Sequence, residues 1–210
     1  MNKNQEKEFK WDASPRGAFA RFLPALREAG GKTLRARKLQ LTDYYLQDEK
    51  NTLAVRKIAL RIRRTGKRFE ATLKNRSRLC NGLAVRREDT LPLLGVSSWR
   101  QALKKLAERG KWQEIDTQHL HVHFIIKNAR NVYAVKYAGC ECEAALDNYV
   151  TYARGHRLRR KEIELELKKG SAKDFEKLIK NITAFSGLCA AKISKVAGAE
   201  KWIKEQVSLN

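Results

Sequence analysis

At 210 residues the chain is long enough for one domain with a sizeable core and too short for two large ones. Hydrophobic residues make up 42% and charged residues 32%, with 12 Gly and 3 Pro, which argues against long disordered or low-complexity stretches. The 45 Lys and Arg against 23 Asp and Glu leave a net charge of +22, a field that gathers polyanions without choosing among nucleic acid, polyphosphate, nucleotide and acidic lipid. Apolar runs such as Phe124-Ile125-Ile126 are too short to span a bilayer, and Met1-Asn2-Lys3-Asn4 begins no apolar signal segment, so a soluble cytoplasmic protein is expected. Cys80, Cys140, Cys142 and Cys189 lack CxxC spacing and are expected to be free thiols.

A short alternating stretch, 5–11, comes first. Ser14-Pro15 is expected to cap and open a helix, with Phe19, Phe22, Leu23 and Leu26 at helical spacing until Gly30-Gly31 ends it. Alternation resumes over 33–46, and strands 58–64 and 68–75 flank Thr65-Gly66-Lys67 as a hairpin, followed by a strand over about 83–91. Ser97-Ser98 opens an amphipathic helix carrying Trp99, Leu103 and Leu106. Alternation returns in 119–127, 131–138, 140–148 and 157–168, and the last forty residues read as helical with a break near Ser186-Gly187.

No repeat or linker divides the chain, so a single domain over 1–210 is expected, with a core of about 5–170 and a helical segment at 171–205. The class is α+β. About eight strands joined mostly by short turns, with helices at 15–29, 97–109 and 171–205, point to an antiparallel sheet closed into a barrel with helices packed outside. An open sheet with helices on one face is the alternative.

Successive strand side chains point to opposite faces, so Glu162, Glu164 and Glu166 share one face while Ile163, Leu165 and Leu167 share the other. Alone, such a row is the solvated face of a half-buried sheet. It recurs, however, in Glu6, Glu8 and Lys10, in Arg61 with Arg63, Thr72 with Lys74, Arg86 with Glu88, and Glu143 with Asp147. Several of these strands are apolar on the opposite face, as at Leu60 and Ile62 or Ala71 and Leu73. If helices cover the apolar faces, the charged faces line the inside.

The interior of a small barrel holds side chains and at most one small ligand, and unpaired ions there cost several kcal/mol each. Ionised carboxylates cannot donate to phosphate oxygens but are natural ligands of Mg²⁺ or Mn²⁺, whereas Arg and Lys are natural ligands of phosphate. A wall carrying both sets reads as a site for a metal–polyphosphate complex.

On these residues the chain resembles a known family. Glu6-Lys7-Glu8-Phe9-Lys10 is similar to the ExExK signature of the CYTH superfamily of triphosphate tunnel metalloenzymes, and Ala59-Leu60-Arg61-Ile62-Arg63-Arg64 and Ala71-Thr72-Leu73-Lys74 resemble its next two tunnel strands. Arg86-Arg87-Glu88, the stretch around Arg130, Glu143-Ala144-Ala145-Leu146-Asp147 and Glu162-Ile163-Glu164-Leu165-Glu166-Leu167-Lys168 resemble the remaining strands, in the family's order. Ser194-Lys195 looks like the pattern of the helix that plugs one tunnel end. The helix-bearing segment at 95–118 makes the chain look more like the larger bacterial inorganic triphosphatase branch than the most compact members.

The resemblance implies an eight-stranded tunnel with a C-terminal plug helix. It implies that Lys10, Arg61, Arg63, Lys74, Arg86 and Arg130 bind the triphosphate, that Glu6, Glu8, Glu162, Glu164 and Glu166 hold Mg²⁺ or Mn²⁺ with Glu143 and Asp147 assisting, and that Glu88 is a further candidate acid. Water activation is expected in the Glu164 and Glu166 region, and the implied reaction is hydrolysis of inorganic triphosphate to pyrophosphate and phosphate. Thiamine or nucleoside triphosphate hydrolysis, adenylate cyclisation, and polyphosphate or nucleotide binding without turnover are the alternatives. The chain departs from the family pattern at Gln47, Thr90 and Val150, where acids are common.

Three further features are read as bystanders. His119, His121 and His123 alternate on one presumed strand face and are ordinary strand residues before they are a transition-metal site. Arg35-Ala36-Arg37-Lys38 and Arg157-Leu158-Arg159-Arg160-Lys161 are solvated faces before they are a patch for polyanions. No Gly-rich phosphate loop, helix-turn-helix or RNP-like motif supports a dedicated nucleic-acid module.

Overall fold

The computed structural model describes residues 5–75 and 79–207; Met1, Asn2, Lys3 and Asn4, read above for a signal segment, lie outside them. Its elements in chain order are β1 (Gln5–Asp12), α1 (Ala18–Glu28), β2 (Lys32–Gln47), α2 (Thr52–Val55), β3 (Ile58–Thr65), β4 (Arg68–Asn75), β5 (Leu83–Pro92), α3 (Trp99–Ala107), β6 (Lys111–Trp112), β7 (Ile115–Asp116), β8 (His121–Tyr137), β9 (Cys140–Ala153), β10 (His156–Lys169), α4 (Ala172–Ser186) and α5 (Lys195–Val207). Among these residues, eight strands close into a barrel in the order β1-β10-β9-β8-β2-β3-β4-β5, with β6 and β7 as a separate small hairpin. Every neighbouring pair is antiparallel, so the expected closure is present and the open sheet is excluded.

Helices cover the apolar outer faces. α1 and α4 pack on β1, β9 and β10, where Trp11, Phe22, Leu26, Ile163, Leu165, Phe175 and Leu178 are fully buried. α3 and the β6–β7 hairpin cover Leu60, Ile62 and Ala71 on β3 and β4. Each such Leu, Ile or Phe contributes about 1.5–3 kcal/mol when fully buried. With the apolar faces thus committed outward, the alternate residues of the same strands must point inward.

A third apolar cluster lies inside one barrel end, where Ala199 and Ile203 of α5 meet Tyr45, Phe124, Ile126 and Tyr149. α5 is therefore a plug. It is reached through a strap: α4 ends at Gly187, with φ 63°, and residues 188–194 run along β1, where Asp12 N–H donates to Cys189 O and Ala191 N–H to Lys10 O, both at 2.9 Å. On the same edge of β1 Gly82 O accepts from Lys10 N–H at 2.9 Å, and a Cβ at Gly82 would lie 2.8 Å from Lys10 O, so the close approach requires glycine. Both backbone groups of Lys10 are thus tied down on that edge, opposite β10.

Two expectations need correction. The strands expected at 119–127 and 131–138 are one continuous strand, β8. Lys127-Asn128-Ala129-Arg130 looks like a turn by polarity, but Asn128 is buried and Arg130 faces Asp147, so these polar residues line the barrel. α1 begins at Ala18 and not at Pro15: the Asp12 carboxylate accepts from Ser14 N–H at 2.9 Å, turning the chain first, and Gly17 holds the helix start at φ 76° without a side-chain cap. Among the described residues no helix is long and apolar enough to cross a membrane.

Candidate active site

The inward faces enclose a cavity of about 380 Å³. All the candidate site residues named from the sequence line it except Asp147 and Glu162, which lie behind it toward the plugged end and are almost inaccessible. Arg61 and Arg63 come from β3, Lys74 from β4, Arg86 from β5 and Arg130 from β8, while β1 supplies Glu6, Glu8 and Lys10, β9 supplies Glu143 and Asp147, and β10 the glutamate row. The spacing of two that places each pair on one strand face is what brings them together.

Ion pairs tie the two charge types into clusters. Arg86 donates from Nε to Glu6 Oε2 at 2.8 Å and also reaches Glu8; Lys74 Nζ lies 3.2 Å from the same Glu6 oxygen and contacts Glu88. Burial works against the charge on Glu6, but Lys74 and Arg86 outweigh it and hold the carboxyl well below its ordinary range. On Lys74 burial prevails, aided by Arg86 and Arg61, and its ammonium is easier to deprotonate than usual.

The second cluster lies against the plug. Arg130 forks onto Asp147 with two contacts of 2.6 Å and reaches Glu164 Oε2 at 2.6 Å. Lys10 contacts Glu164 and lies 3.2 Å from Glu8 and 3.4 Å from Glu162. Burial raises Glu162 to about 7 despite Lys10 and Lys195. The opposite holds for Glu164, where burial is overcome by Lys10, Lys195 and Arg130 and the carboxyl is held well below its ordinary value. Glu164 has one cation more than Glu162, so the first proton the pair takes up goes to Glu162.

Glu6, Glu143 and Glu166 do not join this cluster. Glu6 belongs to the Lys74–Arg86 side, Glu143 faces Arg37 at 3.0 Å, and Glu166 pairs with Lys168 at 2.6 Å. Among the described residues, Asp147, Glu162 and Glu164 are the acids that bring one oxygen each within 4.8 Å of one another. Three hard oxygen donors at that spacing fit Mg²⁺ or Mn²⁺. The basic side fits an anion on a separate observation: Arg61 Nε and Thr72 Oγ1, both buried, have no hydrogen-bond partner.

Sequence reasoning missed two residues. Asp43 of β2 is buried and accepts from Arg63 Nε at 2.6 Å and Arg63 Nη2 at 2.7 Å, fixing the basic fork; its signal is that it is the sole acid in the alternating 33–46 stretch. Lys195, noticed only as part of the plug pattern, places Nζ 2.6 Å from Asp147 and above the Tyr149 ring at 5.0 Å. The bystanders stay outside. His119 precedes β8 in a turn, His121 is exposed, and Cys140 and Cys142 are buried free thiols on the outer face of β9, where burial pushes Cys142 up to about 12. Both basic runs lie on exposed strand segments.

The departures at Gln47 and Val150 have structural readings. Gln47 Oε1 accepts from the N–H groups of Asp48 and Leu53 and so shapes the entry to α2. Val150 alternates with the inward-facing Tyr149 and Thr151 and therefore points away from the tunnel. Thr90 hydrogen-bonds Glu88 at 3.4 Å.

The site is thus a closed antiparallel barrel lined by paired acidic and basic side chains and plugged at one end by a C-terminal helix. The chain belongs to the CYTH domain family, whose profile matches residues 4–199. Over 177 residues it is 25% identical to an inorganic triphosphatase of Haemophilus influenzae, covering 82% of this chain and 50% of the relative, so it spans about half of that protein's length. Its fold is similar to that of a candidate adenylyl cyclase from Hippeastrum with a dominant triphosphatase activity, at TM-score 0.64 and 20% identity over 93% of this chain and 95% of that one. It is also similar to a candidate adenylate cyclase from Bacillus halodurans, at TM-score 0.60 and 20% identity over 94% and 98%. A third is the Mimivirus capping enzyme triphosphatase, at TM-score 0.56 and 13% identity over 88% and 90%.

Proposed function

We propose that this chain hydrolyses a triphosphate with the help of Mg²⁺ or Mn²⁺, and that inorganic triphosphate is its first substrate. The observation that carries the reading is the opposition of two buried sets across the barrel: partnerless donors on Arg61 and Thr72 of β3 and β4, and on β9 and β10 the converging carboxylates of Asp147, Glu162 and Glu164, of which Glu164 lines the cavity and the other two stand behind it. The cavity is at the small end of ligand sites, which favours a bare phosphate chain over one carrying a bulky group.

Arg61, Arg63, Lys74 and Arg86 would hold the non-reacting phosphates, since guanidinium forks match phosphate oxygens in pairs. Lys10 and Arg130 stand between the acidic cluster and the cavity, where they would offset charge building on the transferred phosphoryl group. Asp147, Glu162 and Glu164 would hold a divalent ion, which would supply Lewis-acid polarisation. The three glutamates of the row differ. Glu164 stays ionised and lines the cavity, Glu162 is the one that takes up a proton while no metal is bound, and Glu166, raised by burial, stands nearer the mouth beside Lys168.

The test is phosphate release from inorganic triphosphate with Mg²⁺, Mn²⁺ or EDTA, beside ATP, thiamine triphosphate and long-chain polyphosphate. Release from inorganic triphosphate that EDTA abolishes is expected. No release from any of them, with triphosphate still raising the melting temperature, would replace this reading by binding without turnover, which the complete pairing of Asp147 and Glu164 with protein cations favours.

A further inference from the structure

The Lys195 ammonium sits where three carboxylates converge. Its Nζ is 2.6 Å from Asp147 Oδ2 and 3.4 Å from both Glu162 Oε1 and Glu164 Oε1. These are the same acids whose oxygens converge within 4.8 Å. Lys10, which also touches Glu8, and Arg130 reach the set from the barrel wall, so the three acids, all ionised as metal ligands must be, already face three cations in a buried place. A divalent ion added to that set would leave two positive charges uncompensated, and uncompensated buried charge is costly enough that a resident cation must leave.

The fold indicates which one. Lys10 and Arg130 stand in strands hydrogen-bonded on both sides, β1 between β5 and β10 and β8 between β2 and β9. Lys195 is the first residue of α5, approached through the helix-free strap and seated by one apolar cluster. It also lies at the positive end of its own helix, where Ser194 Oγ caps Ala197 N–H at 3.2 Å and a cation is disfavoured. Ser194, Lys195 and Val196 line the cavity, so an ammonium that lets go of the carboxylates moves into the space assigned to the phosphate chain.

We propose that Lys195 is a built-in stand-in for the divalent ion: it holds Asp147, Glu162 and Glu164 together until metal enters, and metal binding transfers it to the triphosphate and shifts the start of α5. The inference rests on reading those three acids as the metal ligands. It makes metal and triphosphate bind cooperatively, because the substrate gives the displaced ammonium a new anionic partner, and the coupling is reciprocal.

Mn²⁺ titration of the full chain without substrate, followed by the EPR signal of free Mn²⁺, tests this directly. Lys195→Met keeps the side-chain length and removes the charge, and should bind Mn²⁺ about tenfold more tightly than wild type, or roughly 1.4 kcal/mol; Lys195→Arg should not. In the wild-type chain, which needs no variant to fold, Mn²⁺ should speed amide hydrogen exchange over the first turns of α5. Equal or weaker Mn²⁺ binding by Lys195→Met, or α5 exchange indifferent to Mn²⁺, overturns the stand-in while leaving the metal site intact if Glu164→Gln still abolishes Mn²⁺ binding. Mn²⁺ binding that ignores Glu164→Gln overturns both.

Discussion

The plugged end and the open mouth of the barrel use the same charge types in the same alternation, yet their ion pairs differ in kind. Near the plug, Asp147 is 0% exposed in its side chain and Lys10 4%, and each touches more than one partner. At the mouth the Arg37–Glu143 pair has side chains 55% and 26% exposed, and Lys168–Glu166 46% and 25%. Exposed pairs of that kind contribute at most about 1 kcal/mol, whereas removing one member of a buried set strands its partners without compensation. Identical residue types are therefore buried and mutually dependent at one end, and exposed and separable at the other.

Glu164→Gln should have the largest effect. It leaves Lys10, Arg130 and Lys195 facing one full negative charge fewer, and EDTA-sensitive phosphate release should fall by roughly two to three orders of magnitude, as for loss of a key electrostatic group. Arg37→Ala, at the mouth, should change it by less than about threefold. Comparable losses in the two variants would erase the distinction between the ends. An intermediate effect is expected for Arg61→Met, which removes a buried donor with no protein partner at Nε: triphosphate affinity, measured by calorimetry, should weaken about 10- to 100-fold. Unchanged affinity would remove Arg61 from the phosphate-binding set.

The parts of this site legible in the sequence are those that one strand encodes by itself. Glu162-Ile163-Glu164-Leu165-Glu166-Leu167 states its two faces through a period of two, and the apolar face identifies the charged one as interior once helices are available to cover it. What pairs across strands was not legible. Asp43 meets Arg61 and Arg63 only through the β2–β3 register, and Lys195 meets Asp147 only because the strap turns α5 back into the barrel. Polar residues lining an interior also imitate turns, which is why β8 read as two strands around Asn128 and Arg130. The two-residue β6–β7 hairpin has too short a pattern to register at all.

The smallest effect expected is the one most specific to the buried end. Glu162 has its carboxyl raised by burial from an ordinary 4.5 to about 7, so the folded chain takes up this proton more readily than the unfolded one. Its contribution to stability is then fully present below the ordinary carboxylate range and is lost as pH rises through about 7. Asp147 and Glu164 run the other way: both are lowered, so their contribution is present above the ordinary range and lost as pH falls through their folded values. The melting temperature of wild type alone mixes these opposing trends, but its difference from Glu162→Gln isolates the first. A neutral amide mimics the protonated acid, so the two chains should melt close together near pH 4.5, and the variant should gain a few degrees over wild type as pH rises past 7. A difference that stays flat across that window would mean Glu162 is ionised throughout, and the proton-accepting role would pass to Glu166, the other member of the row held above its ordinary value.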